Sequence, residues 1–416
     1  MKIITLSKEE FENYSNKHKY NSYYQSTNYA DYMEKNDGFN IHYLGFTDNS
    51  NHLIGASLVL YKNLFWGYKW AYAPRGFLFD YDDLNMVTEL VQNLKRLLRK
   101  QKFIFITIDP PVVASERDKT GKIVQFNDNV NNILSNFKKN NFEHLGFNLY
   151  DESKLSRWNV IAKLNMDSRI MFNNFDNEIR DKINYSNSMA ISVKVDEQCD
   201  INKFFDIIKK SNGKKTKRSF ENLKNAFIND DKIKIFYCTL DTQKYTRNAN
   251  RLYEKEEEKN NVLAEMIKSG DSIKYNIPKV VNDKVISDKL LHTYKKDIVA
   301  STKLLKSNPD GIICGVALTI VDANGVNIVI NYSTPEYEKY NPEAMLTYEI
   351  MKYYGSKNYK YVNIGAVTGN FDTNSKYYPL LLSKLGFNSS IIEYIGEFNI
   401  ILNSFMYKIY KKKYKK

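Results

Sequence analysis

The chain carries the same succession of segments twice, and no other feature constrains its fold as much. In the first copy an apolar run, Ile54–Tyr61, is followed by a second near WAYAP that ends in Arg75-Gly76-Phe77. Val87, Leu90, Val91, Leu94, Leu97 and Leu98 then recur at helical spacing. The run KFIFITI stops at Asp109-Pro110-Pro111, because proline cannot continue a sheet ladder. A short helix, ILSNFKKNNF, leads to Leu145-Gly146-Phe147. The second copy keeps this order. Strand ICGVALTIVD, a hairpin signal at Asn324-Gly325 and strand VNIVINYST come first. A helix with Pro342 near its start and Gly355 near its end follows. Strand YKYVNIG and helix YPLLLSK lead to Leu385-Gly386-Phe387, and SSIIEYIGEFNI reads as one last strand. Each copy is a β-β-α-β-α-β unit, which predicts an α/β fold with mixed sheets covered by helices. The shared LGF tails point to duplication.

At 416 residues the chain is too long for one ordinary core. The copies suggest a first domain over 1–165 and a second over 166–240 and 309–416. The stretch 241–308 has a different texture, highly charged and without strand signals. One stripe runs through Tyr245, Ala249, Leu252, Leu263 and Met266, and another through Val281, Val285, Leu291, Tyr294, Ile298 and Leu305. Gly270 and Pro278 punctuate the gap. This predicts an antiparallel, coiled-coil-like helical hairpin inserted into the second domain.

The net charge of +13 favours a polyanionic partner such as nucleic acid, nucleotide phosphates or anionic lipid heads. The densest internal basic block comprises Lys209, Lys210, Lys214, Lys215, Lys217 and Arg218, which reads either as a phosphate track or as a solvated loop around Gly213. The basic C-terminus, with Phe405, Met406, Ile409 and Tyr410 on one helical face, is open to two readings: a peripheral contact with the inner face of a membrane, or a soluble tail. Cys199, Cys238 and Cys314 are scattered, which argues against a disulfide framework or zinc site and suits a reducing cytoplasm. No signal peptide and no run of about 18 apolar residues is evident, so a cytoplasmic protein is expected.

Several segments resemble the FemABX family in order and spacing over roughly residues 1–412. IIEYIGEF (Ile391–Phe398) is similar to the family's IIEYxGxF, YVNIGAVTGNF to its strand-loop, and LSKLGF to its F-K-x-G-F/Y segment. Near the N-terminus, YYQSTNYADYMEK, YAPRGF and TIDPP resemble its Q-x-x-x-W-A, Y-A-P-R-G-P and F-D-P elements. The hairpin resembles the arm of the branch that includes FemA, FemB and MurM. The resemblance implies two tandem acyltransferase (GNAT-like) domains. It also implies an aminoacyltransferase that moves an aminoacyl group from aminoacyl-tRNA, its co-substrate, to the side-chain amine of a peptidoglycan stem peptide. The acceptor would be lipid II or UDP-MurNAc-pentapeptide, and the product the interpeptide bridge. No further cofactor and no metal is implied.

Aminolysis of an ester needs a neutral amine, a positioned ester and a stabilised oxyanion. By the resemblance, Lys384 is the lysine beside the ester, although Ser383 stands where the family has an aromatic residue. Arg218 takes the place of a phosphate-contacting arginine, with Asn222 where an aromatic residue is expected four positions later. Lys35 and Tyr332 approximate a substrate lysine and a substrate tyrosine. Arg75 and Asp109 lie at strand ends facing the expected cleft, Asp109 either orienting the amine or capping the turn before Pro110. Rival readings are an acyl-CoA N-acyltransferase, a non-catalytic tRNA- or membrane-binding protein, and a transferase acting on protein N-termini. Against the first, none of the 17 glycines lies two positions from another, so the Q/R-x-x-G-x-G/A pyrophosphate turn is absent.

Overall fold

A computed structural model describes residues 1–150, 154–209, 215–323 and 325–414. The first half runs β1 (Lys2–Thr5), α1 (Lys8–Ser15), α2 (Thr27–Asp37), β2 (Asn40–Thr47), β3 (Leu53–Asn63), β4 (Lys69–Ala73), α3 (Leu84–Lys100), β5 (Phe103–Ile108), β6 (Val113–Arg117), β7 (Ile123–Phe126), α4 (Val130–Lys139), β8 (Phe142–His144) and β9 (Trp158–Lys163). The second begins with α5 (Ser168–Asn173), α6 (Asn177–Ser188), β10 (Ile191–Asp196), α7 (Ile201–Ile208), α8 (Lys217–Phe227) and β11 (Ile233–Leu240). After helices α9 (Thr242–Ser269) and α10 (Ile277–Ser307) come β12 (Ile312–Val321), β13 (Gly325–Ser333), α11 (Pro342–Ser356), β14 (Tyr361–Ala366), α12 (Tyr378–Lys384), β15 (Ser389–Tyr394), β16 (Phe398–Ile401) and α13 (Ser404–Tyr414).

The apolar stripe expected over 87–98 is the buried face of α3, with Val87, Leu90, Val91, Leu94 and Leu98 packed on the first sheet. That sheet has the order β1-β2-β3-β4-β5-β16-β8, and the other β10-β11-β12-β13-β14-β9-β15-β6-β7. Pairing senses match across the two copies. β4 runs parallel to β5 as β13 does to β14, and the flanking pairs are antiparallel. The copies also exchange a strand. β9, which follows the first unit, lies between β14 and β15 of the second sheet. β16, which follows the second unit, lies between β5 and β8 of the first. Sheet membership therefore crosses the boundary drawn near residue 165, and the hairpin β6–β7 extends the second sheet as well.

The final strand expected as one piece is two. The chain turns at Ile395–Glu397, where Gly396 has φ +95° and a Cβ would stand 3.2 Å from His144 Nε2. β15 stays in the second sheet and β16 crosses to the first. Glu393, in the same motif, fastens this region. Its carboxylate accepts from Ser115 Oγ at 2.6 Å and Arg117 Nε at 3.0 Å, and it pairs with Arg157. It thus ties β15 to β6 and to the residue that opens β9.

The helices α9 and α10 form the expected antiparallel arm. Its base is held by Thr242 Oγ1 donating to the Asn308 carbonyl at 2.6 Å and by Tyr245, buried edge-on to Tyr340. The inner face of α10 differs from the expected stripe. Val280, Ser287 and Ser301 are buried, while Val281 and Val285 are exposed. The seam carries polar contacts, since Asn260 Nδ2 donates to Ser287 Oγ at 3.0 Å and Asp288 Oδ1 at 2.9 Å. The expected stripe fails only at the start of α10, since Leu291, Tyr294, Ile298 and Leu305 are half-buried. The hairpin signal Asn324-Gly325 falls partly outside the described residues, because Asn324 is not among them.

Candidate active site

The parallel pair at the centre of each sheet behaves differently in the two copies. β4 and β5 pair along the whole of β4, with one shift after Lys69 and then an unbroken register from Trp70 to Ala73. β13 and β14 pair only over Gly325–Asn327 and Tyr361–Asn363. Beyond Asn363 the chain bends at Gly365 (φ +121°), where the register with β9 also shifts. The strands then diverge, leaving a gap in the second sheet and none in the first.

Two cavities open on this gap. The larger, about 490 Å³, is walled by Ile328 and Ile330 of β13, Ile364 of β14, Phe220 of α8 and Leu380 of α12, with Tyr332, Glu343, Thr347 and Lys384 as polar groups. The smaller, about 320 Å³, is lined by Tyr24, Arg75, Ser156, Asn159, Asp322, Asn327, Tyr361, Asn363 and Tyr394. Lys215, Ile328, Val329, Gly365 and Ala366 belong to both. The two cavities therefore meet at the divergence of β13 and β14, with both halves of the chain contributing to the smaller one.

Lys384 ends α12 and reaches back to this meeting line. Its Nζ donates to the Ala366 carbonyl at 2.7 Å. Gly365 leaves the room it needs, since a Cβ there would lie 3.0 Å from Nζ. Burial lowers its pKa to about 8, opposed by the Glu343 carboxylate. Glu343, in the first turn of α11, has its own pKa raised by burial and accepts from Ser333 Oγ at 3.4 Å. It is the one acidic side chain among the described residues lining the larger cavity. Asn331 secures the start of α11 by donating to the Glu343 carbonyl at 3.2 Å and Thr347 Oγ1 at 3.0 Å.

Arg75 faces the smaller cavity from the first half. Its guanidinium donates to the Ser156 carbonyl at 2.7 Å and lies 4.5 Å from the Tyr394 ring centroid. Asp109 sits behind it, lining neither cavity. Its carboxylate accepts from the Arg75 backbone N–H at 2.6 Å and the Tyr72 hydroxyl at 3.0 Å. Burial raises its pKa to about 7 in spite of Arg75. Of the two roles open to Asp109, this geometry suits the structural one.

Of the six site residues expected, Lys384 and Tyr332 line the larger cavity and Arg75 the smaller. Arg218 and Lys35 line neither: they are exposed on α8 and α2, helices that pack together through Tyr32–Ser219 at 3.1 Å and Asn222–Asn36 at 3.5 Å. Asn222 thus serves as a helix contact. In the basic block, Lys210 and Lys214 lie outside the described residues, whereas Lys215 lines both cavities. Glu343, Asn327 and Asn363 were not expected, and Tyr394 was expected only as part of the IIEYIGEF strand. Ser383, in the aromatic position, lines the larger cavity and donates to the Leu380 carbonyl at 2.9 Å.

Two tandem α/β units, with one diverging parallel pair and a lysine at the gap, define the chain as a duplicated α/β fold with one candidate reaction centre. The FemAB family profile matches residues 6–415, and the chain belongs to that family. It is 25% identical over 421 residues to the aminoacyltransferase FemB of Staphylococcus epidermidis, covering 99% of this chain and 97% of that one. It is 24% identical over 355 residues to the lipid II:glycine glycyltransferase of Staphylococcus aureus, covering 82% and 79%. The crystal structure of FemX superposes with a TM-score of 0.74 at 20% identity, covering 98% of this chain and 99% of that one. The activity is that of an aminoacyltransferase.

Proposed function

We propose that this enzyme transfers an aminoacyl group from aminoacyl-tRNA to the side-chain amine of a peptidoglycan stem peptide, building the interpeptide bridge at the cytoplasmic face of the membrane. The observation that carries this reading is the meeting of two cavities at the β13–β14 gap, with the Lys384 ammonium at the junction. Two substrates can enter from the two sides and react where the cavities share a wall. The larger cavity takes the tRNA's aminoacyl end. Glu343 offers that end's α-ammonium a counter-charge, and its carboxylate at the start of α11 is unfavourable for the pyrophosphate of an acyl-CoA. The smaller cavity takes the stem peptide of lipid II or its soluble UDP-linked counterpart.

The neutral acceptor amine attacks the ester carbonyl, forming a C–N bond and a tetrahedral oxyanion beside Lys384. Collapse breaks the C–O bond to the ribose. The amine's proton leaves, and the ribose oxygen regains one. The enzyme forms no covalent intermediate, and its contribution is positioning and charge stabilisation.

The test is to incubate purified protein with charged tRNA, one labelled amino acid at a time, and either lipid II or UDP-MurNAc-pentapeptide. Label passing to the stem peptide, and abolished by RNase, supports the reading. Absence of transfer with every amino acid and both acceptors refutes it, and thiol release from acyl-CoA would favour the rival acyltransferase.

A further inference from the structure

The C-terminal helix α13 does not hold its apolar side ready for a partner. Met406 and Tyr407 are buried on β5, with Phe65, Trp70 and Tyr410 half-buried against them. The unpartnered aromatic groups lie elsewhere on the same face. The β3–β4 hairpin turns at Phe65–Gly67, and Trp66 at its tip is 73% exposed, its backbone in the left-handed region at φ 54°. Phe65, beside it, stacks on Tyr414 of α13 with ring centroids 6.1 Å apart and carries Lys413 Nζ 4.9 Å from its own centroid. Phe405, 71% exposed, emerges from the outer side of α13, one and two turns from the exposed Lys408 and Lys412.

The charge around these rings is predominantly positive, with Glu143 beneath α13 as its counter-charge. The β3–β4 hairpin brings Lys62 and Lys69 to this rim. The turn between α3 and β5 adds Arg99, Lys100 and Lys102, tied in by the Lys69 N–H donating to the Lys102 carbonyl at 2.9 Å. Helix α13 adds four lysines, of which Lys411 pairs with Glu143. The stretches 49–79, 90–108 and 398–416, which supply this face, contain no Asp or Glu.

We infer that this face docks on an anionic lipid bilayer, with Trp66 and Phe405 entering the headgroup layer and the lysines facing lipid phosphates. A tryptophan held out at a hairpin tip favours a bilayer over a nucleic acid, because its indole gains most at the boundary between water and acyl chains. Lysines in excess over acids on such a rim are attracted to a negative leaflet within a Debye length. The surface would hold the enzyme against the leaflet that carries a lipid-linked acceptor. That purpose rests on the proposed function, but the docking itself needs no substrate.

The experiment is co-sedimentation of the full chain with phosphatidylcholine vesicles, with and without phosphatidylglycerol, for the wild type, Trp66→Ser and Phe405→Ser. The wild type should bind only the anionic vesicles and be released by salt. Each variant should bind about tenfold more weakly, while aminoacyl transfer to soluble UDP-MurNAc-pentapeptide stays unchanged. Equal wild-type binding to both vesicle types, or variants that bind as the wild type does, would overturn the inference. A tenfold loss of tRNA affinity in Trp66→Ser, with vesicle binding intact, would overturn it too and give the surface to RNA. Transfer activity is read separately, so loss of the functional reading and loss of the docking surface are distinguishable.

Discussion

Replacing Lys384 by methionine should make the protein more stable and nearly inactive. Methionine keeps the length of the stem and removes the charge. Burial brings the lysine's pKa from 10.5 to about 8. At about 1.4 kcal/mol per pKa unit this would cost the folded state about 3 kcal/mol in a dry site, and partial solvation reduces it to about 1–2 kcal/mol. The sign follows from the direction. A lysine whose pKa falls on folding destabilises the fold below its folded pKa, and stability recovers as pH rises from about 8 towards 10.5. Lys384→Met should therefore gain up to about 1–2 kcal/mol at pH 7, offset in part by the lost hydrogen bond to Ala366, and the gain should vanish near pH 10. Turnover should drop by about 10²–10³, the usual effect of removing one donor to a developing oxyanion. The wild-type rate should decline above about pH 8 as the ammonium is lost, and Lys384→Arg should flatten that limb. The assays are urea melts at several pH values and single-turnover transfer from charged tRNA. A variant less stable than the wild type at pH 7, or one whose acceptor KM rises while kcat holds, would refute the reasoning.

Gly365→Ala should lower kcat by at least about tenfold at unchanged acceptor affinity, since a Cβ at φ +121° would crowd the Lys384 ammonium at 3.0 Å; wild-type turnover would show that the lysine is free to move. Asp109 has a folded pKa raised to about 7, so its charged form costs stability, and stability should fall as pH rises from about 4 to about 7. Asp109→Asn should flatten that slope in denaturant melts, and an unchanged slope would count against the assignment. Arg218 is exposed on α8 and lines neither cavity, so Arg218→Ala should leave acceptor affinity and kcat unchanged, whereas calorimetry showing a loss of about five- to tenfold would return it to the site.

The elements were legible in the sequence because each is written locally. Leu90, Leu94 and Leu98 repeat on one side of α3, and Pro342 opens α11. The strand exchange was not legible. β9 is a mostly buried run, WNVIAK, that would suit either sheet, and its place between β14 and β15 is decided by partners some 200 residues away. Only Gly396 marks the break in the last strand, and a lone glycine there reads equally as a bulge. The site divides in the same way. Lys384, Tyr332 and Arg75 stood in segments whose order and spacing resembled a known family. Glu343 could not be singled out, because an acid in a helix's first turn has an ordinary explanation in the helix dipole. Asn327 and Asn363 were hidden because neither shows that the parallel pair ends where they stand.

The exchange and the site are linked. Had each unit kept its own final strand, the smaller cavity would lack Asn159 and Ile161, which β9 carries in from the end of the first half. Arg75 would lose the Ser156 carbonyl that holds its guanidinium against Tyr394. The first copy's parallel pair stays closed to the end of β4, in register from Trp70 to Ala73, so that copy offers no such gap and serves as a wall for the other. On the proposed function, duplication therefore yields one reaction centre with two entrances. The diverging pair in the second sheet supplies the place of reaction, and the closed first half, clamped by the exchanged strands, supplies the rigid side of the cleft against which an acceptor can be positioned.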